Sequence, residues 1–160
     1  MNGTLPQLIA EDIAEIKKIF TDFLSKSEAD SVLLTAEGGF LVCEDGKTSN
    51  LDTTILGALA SNSFEANKAI AGLIGEPNFS CIYQAGEQFS MYVQSIDGYN
   101  LMVVIFPVTT AVGAIKFYAQ KSRAEVEKIF QRARERAPGE GLDLVLMNPE
   151  DSSAIFKRKD

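Results

Sequence analysis

The sequence predicts an α+β fold, a five-stranded antiparallel sheet with helices packed on it, in the order α-β-β-α-β-β-β-α. Two observations carry that expectation. Three segments repeat apolar residues at three- and four-residue spacing, the period of a helix with one buried face. Five short runs are rich in strand formers and are bounded by glycine- or aspartate-containing turns, which suit hairpins; the longer segment between the second and third runs carries a helix.

Taken in chain order, Ile9, Ile13, Ile16, Phe20 and Phe23 form one helical stripe to about Ser25, with Glu11, Asp12, Lys17 and Lys18 on the opposite face. The runs SVLLT (31–35) and GFLVCE (39–44) read as a hairpin joined through Ala36, Glu37 and Gly38. Asn50 to Thr53 offer N-cap side chains to a second helix, which ends at Gly75 before Pro77. Its apolar stripe is Ile55, Leu59, Ala66, Ile70 and Leu73. A second stripe of small or polar residues (Ala58, Ser61, Asn62, Glu65, Ala69 and Gly72) would let another chain approach closely. The runs FSCIYQ (79–84), FSMYVQSI (89–96) and NLMVVIF (100–106) make a meander. The last is apolar throughout, as a strand covered on both faces would be, whereas FSMYVQSI alternates like a half-exposed one. Thr109 and Thr110 cap a third helix, whose stripe runs from Val112 through Ile115, Ala119, Ser122, Val126 and Ile129 to Ala133 and which ends near Ala137-Pro138-Gly139. Residues 1–137 therefore form one domain, and 138–160 a flexible tail with a short amphipathic segment at Ile155-Phe156.

Composition excludes more chemistry than it suggests. The chain has no histidine and two cysteines, Cys43 and Cys81, far apart, which removes histidine-based catalysis, zinc spacing and a disulfide framework. No catalytic residue, metal or cofactor is expected. Gly46-Lys47-Thr48 ends like a phosphate-binding loop, but the position needing its first glycine is Leu41. The net charge of -7 opposes nucleic acid, although Lys116 to Arg136 holds 7 Lys/Arg against 3 Glu; helical periodicity there reads as a solvated face. Without a basic, apolar leader or a stretch of ~18 apolar residues, the expectation is a cytoplasmic chain that does not insert into membranes.

Several strings in this order resemble the roadblock family of dynein light chains and bacterial GTPase regulators, in particular its MglB-like branch. They are LLTAEGGFLV, the helix opening NLDTT at Asn50 to Thr54, LIGE at Leu73 to Glu76, and MVVIFPVTTAVGAIKFYAQKS leading into VEKIF. The resemblance spans roughly residues 9–131, with an echo in Glu150 to Phe156. It implies a homodimer with the two second helices side by side above a sheet continued across both subunits. It also implies a non-catalytic regulator, of GTPase-activating or co-GTPase type, for a Ras-like small GTPase of the MglA kind in cell polarity or motility. Two copies would bind one GTPase in its GTP state and remodel its switch regions without inserting an arginine. Carried over position by position, the contact surface is Ala58, Ser61, Asn62, Glu65, Lys68 and Ala69, where Glu65 replaces a small residue, and the tail adds Ile155, Phe156 and Lys157. Two other readings stay open beside it: a nucleotide-indifferent scaffold dimer, and a small-molecule sensor with a cavity lined by Phe20, Phe23, Met91 and Tyr92.

Overall fold

Period-two alternation along the strands decides the architecture, because it sends apolar side chains to both faces of one sheet. The computed structural model describes residues 7–136; the predicted tail, the helix end at Ala137 and the contacts Ile155, Phe156 and Lys157 lie outside the described residues. Helix α1 (Ala10–Ser27) leads into β1 (Ser31–Thr35), a 3-10 turn at Glu37–Gly39 and β2 (Leu41–Gly46). Helix α2 (Thr53–Leu73) follows, then β3 (Cys81–Gln84), β4 (Phe89–Ser95), β5 (Leu101–Pro107) and helix α3 (Val112–Arg134). The strands form one antiparallel sheet in the order β2-β1-β5-β4-β3, so the predicted α+β order and sheet are found.

One face packs Val32, Leu34, Tyr92, Met102, Val104 and Phe106 against α1 and α3 through Ile16, Phe20, Phe23, Ile115, Val126 and Phe130. The other packs Leu33, Val93, Leu101 and Val103 against Ala60 and Phe64 of α2. The sheet is thus a middle layer, with two helices on one side and a single helix on the other.

Three expectations are corrected, and the sensor alternative loses its cavity. Strand β4 is not half-exposed, because α3 and α2 approach it from opposite faces and its polar residues are buried with partners. The Tyr92 hydroxyl donates to Gln94 Oε1 (2.7 Å), and Gln94 Nε2 donates to the Ser80 carbonyl (2.9 Å). No threonine caps α3; Ala111 is the N-cap, and the Thr110 hydroxyl instead donates to the Glu28 carbonyl at the end of α1 (3.3 Å). The sensor cavity is absent among these residues, since Phe20, Phe23 and Tyr92 are closed into the core and Met91 lies on the opposite face. Asp12, placed by periodicity on the polar face of α1, is buried: it accepts the Ile9 amide (3.0 Å) and is clasped by the guanidinium groups of Arg136 and Arg132 from the end of α3.

The Asp12 cluster ties the first turn of α1 to the last turn of α3. Burial pushes its carboxyl up, but the Arg136 guanidinium, the Ile9 amide and Arg132 outweigh that and hold it below its ordinary value. A depressed folded-state value stabilises the fold above the unfolded pKa of about 4 and is lost as pH falls through the folded one. Asp12→Ala should therefore cost about 3 kcal/mol at neutral pH, and the Asp12→Asn chain should lose less stability than the parent on acidification below about pH 4. Urea titrations across pH read both effects.

The 3-10 turn seats α2. Gly39 has φ +83°, and a Cβ there would stand 2.6 Å from the Ala58 Cα, so backbone meets backbone with no room for a side chain. From the helix side, Gly57 lies against the Thr35 side chain. Gly39→Ala combines overpacking with a left-handed conformation and should destabilise by about 2–4 kcal/mol, measurable as a lower urea midpoint.

Candidate functional site

Helix α2 begins at Asp52, whose carboxylate accepts the Ile55 amide (3.0 Å), and it buries its smaller residues. Gly57, Ala60, Ser61, Phe64 and Ala71 face the sheet, with Phe64 the one bulky side chain among them. The close approach at Gly39 demands small residues on that side. The apolar stripe read from the sequence consequently points away from the sheet: Ile55, Ile70 and Leu73 are exposed, and Leu59 is 61% exposed. Covering an aliphatic side chain is worth roughly 1.5–3 kcal/mol, so this ridge is a large unclaimed contribution on a helix of 21 residues.

The expected contact residues do not share one surface. Asn62, Glu65 and Ala69 are exposed on the flank of the ridge, and Ala58 and Lys68 are half-buried. Ser61, at 6% exposure, is turned against the sheet and is not part of the outward surface of this chain.

Lys68 is engaged within the molecule. Its ammonium donates to Glu65 Oε1 (2.7 Å) and to the Gly98 carbonyl (2.8 Å), and lies over the Phe64 and Tyr99 rings at 5.6 and 5.9 Å from their centroids. Glu65, which replaces an expected small residue, thereby acquires a local role one helical turn from Lys68. The clasp continues through the β4–β5 turn, where Asp97 accepts from the Tyr99 and Asn100 amides and from Arg134 of α3. Burial raises the Asp97 carboxyl, and the bonds from Asn100, Tyr99 and Arg134 bring it below its ordinary value.

Lys68→Ala removes a charge-assisted bond to a carbonyl and two cation–ring contacts. The expected loss is about 1–2 kcal/mol, with faster amide exchange in the turn at Gly98 and Tyr99 while the strand amides stay protected.

Two further features are open to a partner. Strand β3 pairs only with β4 among the described residues, which leaves an edge bearing half-exposed Tyr83. A groove of about 470 Å³ opens beside the start of α2 and is lined on its apolar side by Leu51, Leu56, Phe89 and Ile105. The Asp30–Lys47 ion pair (2.8 Å) marks its rim, so the lysine of the Gly46-Lys47-Thr48 string is engaged with a carboxylate.

Among the described residues no three His, Cys, Asp or Glu side chains converge as metal ligands. The Cys43 thiol is pushed up to about 12 by burial, which makes it inert rather than nucleophilic. Among those residues, too, no helix is long and apolar enough to cross a membrane. The exposed helical ridge and the open sheet edge are each apolar or unpaired surface that a protein partner could cover.

No family model matches the sequence, and no curated protein does. Solved structures do. Myxococcus xanthus MglB is 30% identical with a TM-score of 0.71, over 74% of this chain and 96% of that one. The chain belongs to the roadblock family and is of the MglB type. An MglB described with a tetrameric arrangement matches at TM-score 0.75 and 21% identity over 80% of this chain and 96% of that one. A roadblock/LC7 domain from Streptomyces avermitilis matches at 0.66 and 10% identity, over 71% and 96%, and so shares the fold. Roadblock proteins of the MglB type are generally non-catalytic regulators.

Sequence reasoning missed several residues that build this surface. The Glu65–Lys68 spacing was visible as an i,i+3 pair, but the Gly98 carbonyl and the Tyr99 ring come from 30 or so residues away. Which helical stripe lay inward required the contact between Gly39 and Ala58, which no periodicity encodes.

Proposed function

We propose that this roadblock protein acts as a homodimer that binds and regulates a Ras-like small GTPase of the MglA kind in its GTP state, in cell polarity or motility. The observation that carries this reading is the outward aliphatic ridge of α2, Ile55, Leu59, Ile70 and Leu73, on a domain of the MglB type. Two copies pair through this ridge and the open edge of β3, which covers the apolar surface and continues the sheet. Asn62, Glu65 and Ala69, with half-buried Ala58, then border the paired helices and face the GTPase, and Lys68 holds the β4–β5 turn beneath them. Ser61 supports this surface from below. The tail residues Ile155, Phe156 and Lys157 provide a second contact.

The catalytic groups in this reading belong to the GTPase. An arginine supplied in trans must be free to reach a neighbour's phosphates. Here Arg123 donates to the Ser95 carbonyl (2.8 Å), Arg132 and Arg136 hold Asp12, and Arg134 holds Asp97, so the arginines among the described residues are committed inside the fold. Action on the GTPase's own switch segments fits that distribution.

Light scattering on a sizing column, with an MglA-type GTPase loaded with a GTP analogue or GDP, tests the proposal. The expected result is a dimer that gives a two-to-one complex with the GTP form alone, and a Leu59→Asp chain that runs as a folded monomer and forms no such complex. Equal binding of both nucleotide states would instead make the dimer a scaffold.

A further inference from the structure

The structure divides the basic residues of α3 into two sets. Its arginines turn inward or along the domain edge: Arg123 to Ser95 and Glu127, Arg132 to Asp12 and Glu15, Arg134 to Asp97. Lys116, Lys121 and Lys128 are exposed, and among the described residues none makes an ion pair. Steps of four, three and four residues put Phe117, Lys121, Ala124 and Lys128 on one outward stripe, roughly 16 Å long, with Lys116 on its flank. Phe117 is 64% exposed at the end of this stripe, diametrically away from the core, and its ring is held edge-on against Tyr118 (centroids 5.1 Å apart).

We infer that this outward face of α3 is a docking surface for an acidic segment of another protein, with carboxylates at helical spacing for the lysines and an apolar side chain over Phe117. Charge complementarity chooses that occupant. The chain as a whole carries -7, so a row of three free lysines is a place where a negatively charged partner meets attraction rather than repulsion. Glu125 borders the row on the side of α1, where Glu15 and Asp22 are already paired with Arg132 (2.6 Å) and Lys26 (2.7 Å), so this margin offers a partner no net positive charge and the attraction is confined to a strip about one helix wide. A broad anionic surface would gain nothing from that margin. Three lysines at about 1 kcal/mol each, plus one phenylalanine, then give a membrane only marginal attachment. The stripe lies on the face of the sheet opposite α2, so it stays open whether or not α2 pairs with a second copy, and the inference does not rest on GTPase binding.

Amide NMR titration of the isotope-labelled full chain tests this, with a synthetic amphipathic peptide carrying glutamates at helical spacing and one terminal leucine. Shifts should cluster between Gly113 and Gln131 and vanish when glutamine replaces glutamate in the peptide. Lys121→Glu with Lys128→Glu should weaken binding about tenfold or more, Phe117→Ala about threefold or more, and the control Lys17→Glu with Lys18→Glu should leave it unchanged. All these positions are exposed, and circular dichroism verifies that each variant is folded. Absence of shifts at low salt, shifts spread evenly over Lys17, Lys18 and Lys47, or preferential flotation with phosphatidylserine vesicles would overturn the assignment. So would binding that appears only after the acidic residues of the chain's own tail are replaced, which would make that tail the occupant.

Discussion

The close contact between the Glu37–Gly39 turn and the start of α2 determines which side of that helix meets the sheet, and most of the functional surface follows from it. With Gly39 pressed onto Ala58 and Gly57 onto Thr35, only small residues fit on the inner side near the helix start. Phe64 supplies the inner anchor further along, packed with Leu33, Val93 and Val103. The larger aliphatic residues are then displaced to the opposite side, where one helix alone cannot cover them. An arrangement that buried Leu59 and Ile70 would satisfy this chain in isolation but would force the backbones of the turn and the helix apart. The fold thus keeps an apolar ridge outside as the consequence of a tight backbone contact inside.

The two faces of the sheet are joined at one end by polar contacts rather than by further apolar packing. Lys68 reaches from α2 to the Gly98 carbonyl, and Arg134 reaches from α3 to Asp97, so both helices grip the same turn between β4 and β5. Asp12 performs the corresponding task between α1 and α3. Breaking one partner of such a buried pair is costly because the other charge stays behind without water. These clasps commit the arginines of the C-terminal half of α3, and they leave its lysines to the solvent side. Guanidinium forks suit bidentate bonds to buried carboxylates, as Arg136 makes to Asp12, whereas the flexible ammonium of lysine suits an exposed row.

Much of the fold was legible because element type depends on local pattern. The strand runs, the turn residues between them and the three helical periods each correspond to an observed element. Errors arose where a side chain's setting depended on a distant partner. Asp12 looked solvent-facing until Arg132 and Arg136, more than a hundred residues away, supplied its charge partners. Ser90, Gln94 and Ser95 gave β4 the alternation of a half-exposed strand, although hydrogen bonding within the sheet region allows such residues to be buried. In α2 the periodicity marks an outward surface instead of the core, because amphipathic spacing distinguishes two sides of a helix without saying which one meets the sheet.

That ambiguity is informative about a protein whose sheet has two helices on one face and one on the other. Where α1 and α3 lie side by side, their apolar residues cover each other and the strands, and the outward surfaces are left polar except at Phe117. Where α2 lies alone, its aliphatic ridge is left uncovered, the groove at Leu56 and Phe89 opens beside its start, and β3 ends the sheet as a free edge among the described residues. Hydrophobic surface concentrated on one side favours pairing with a matching surface, since covering it is worth more than any rearrangement within the single chain. In the homodimer we propose, a second copy would present that same ridge and the same open strand in a two-fold arrangement. The asymmetry of the layers therefore puts the exposed aliphatic ridge of α2 and the exposed lysines of α3 on opposite faces of the sheet, so the two surfaces we propose as docking sites do not compete for one partner.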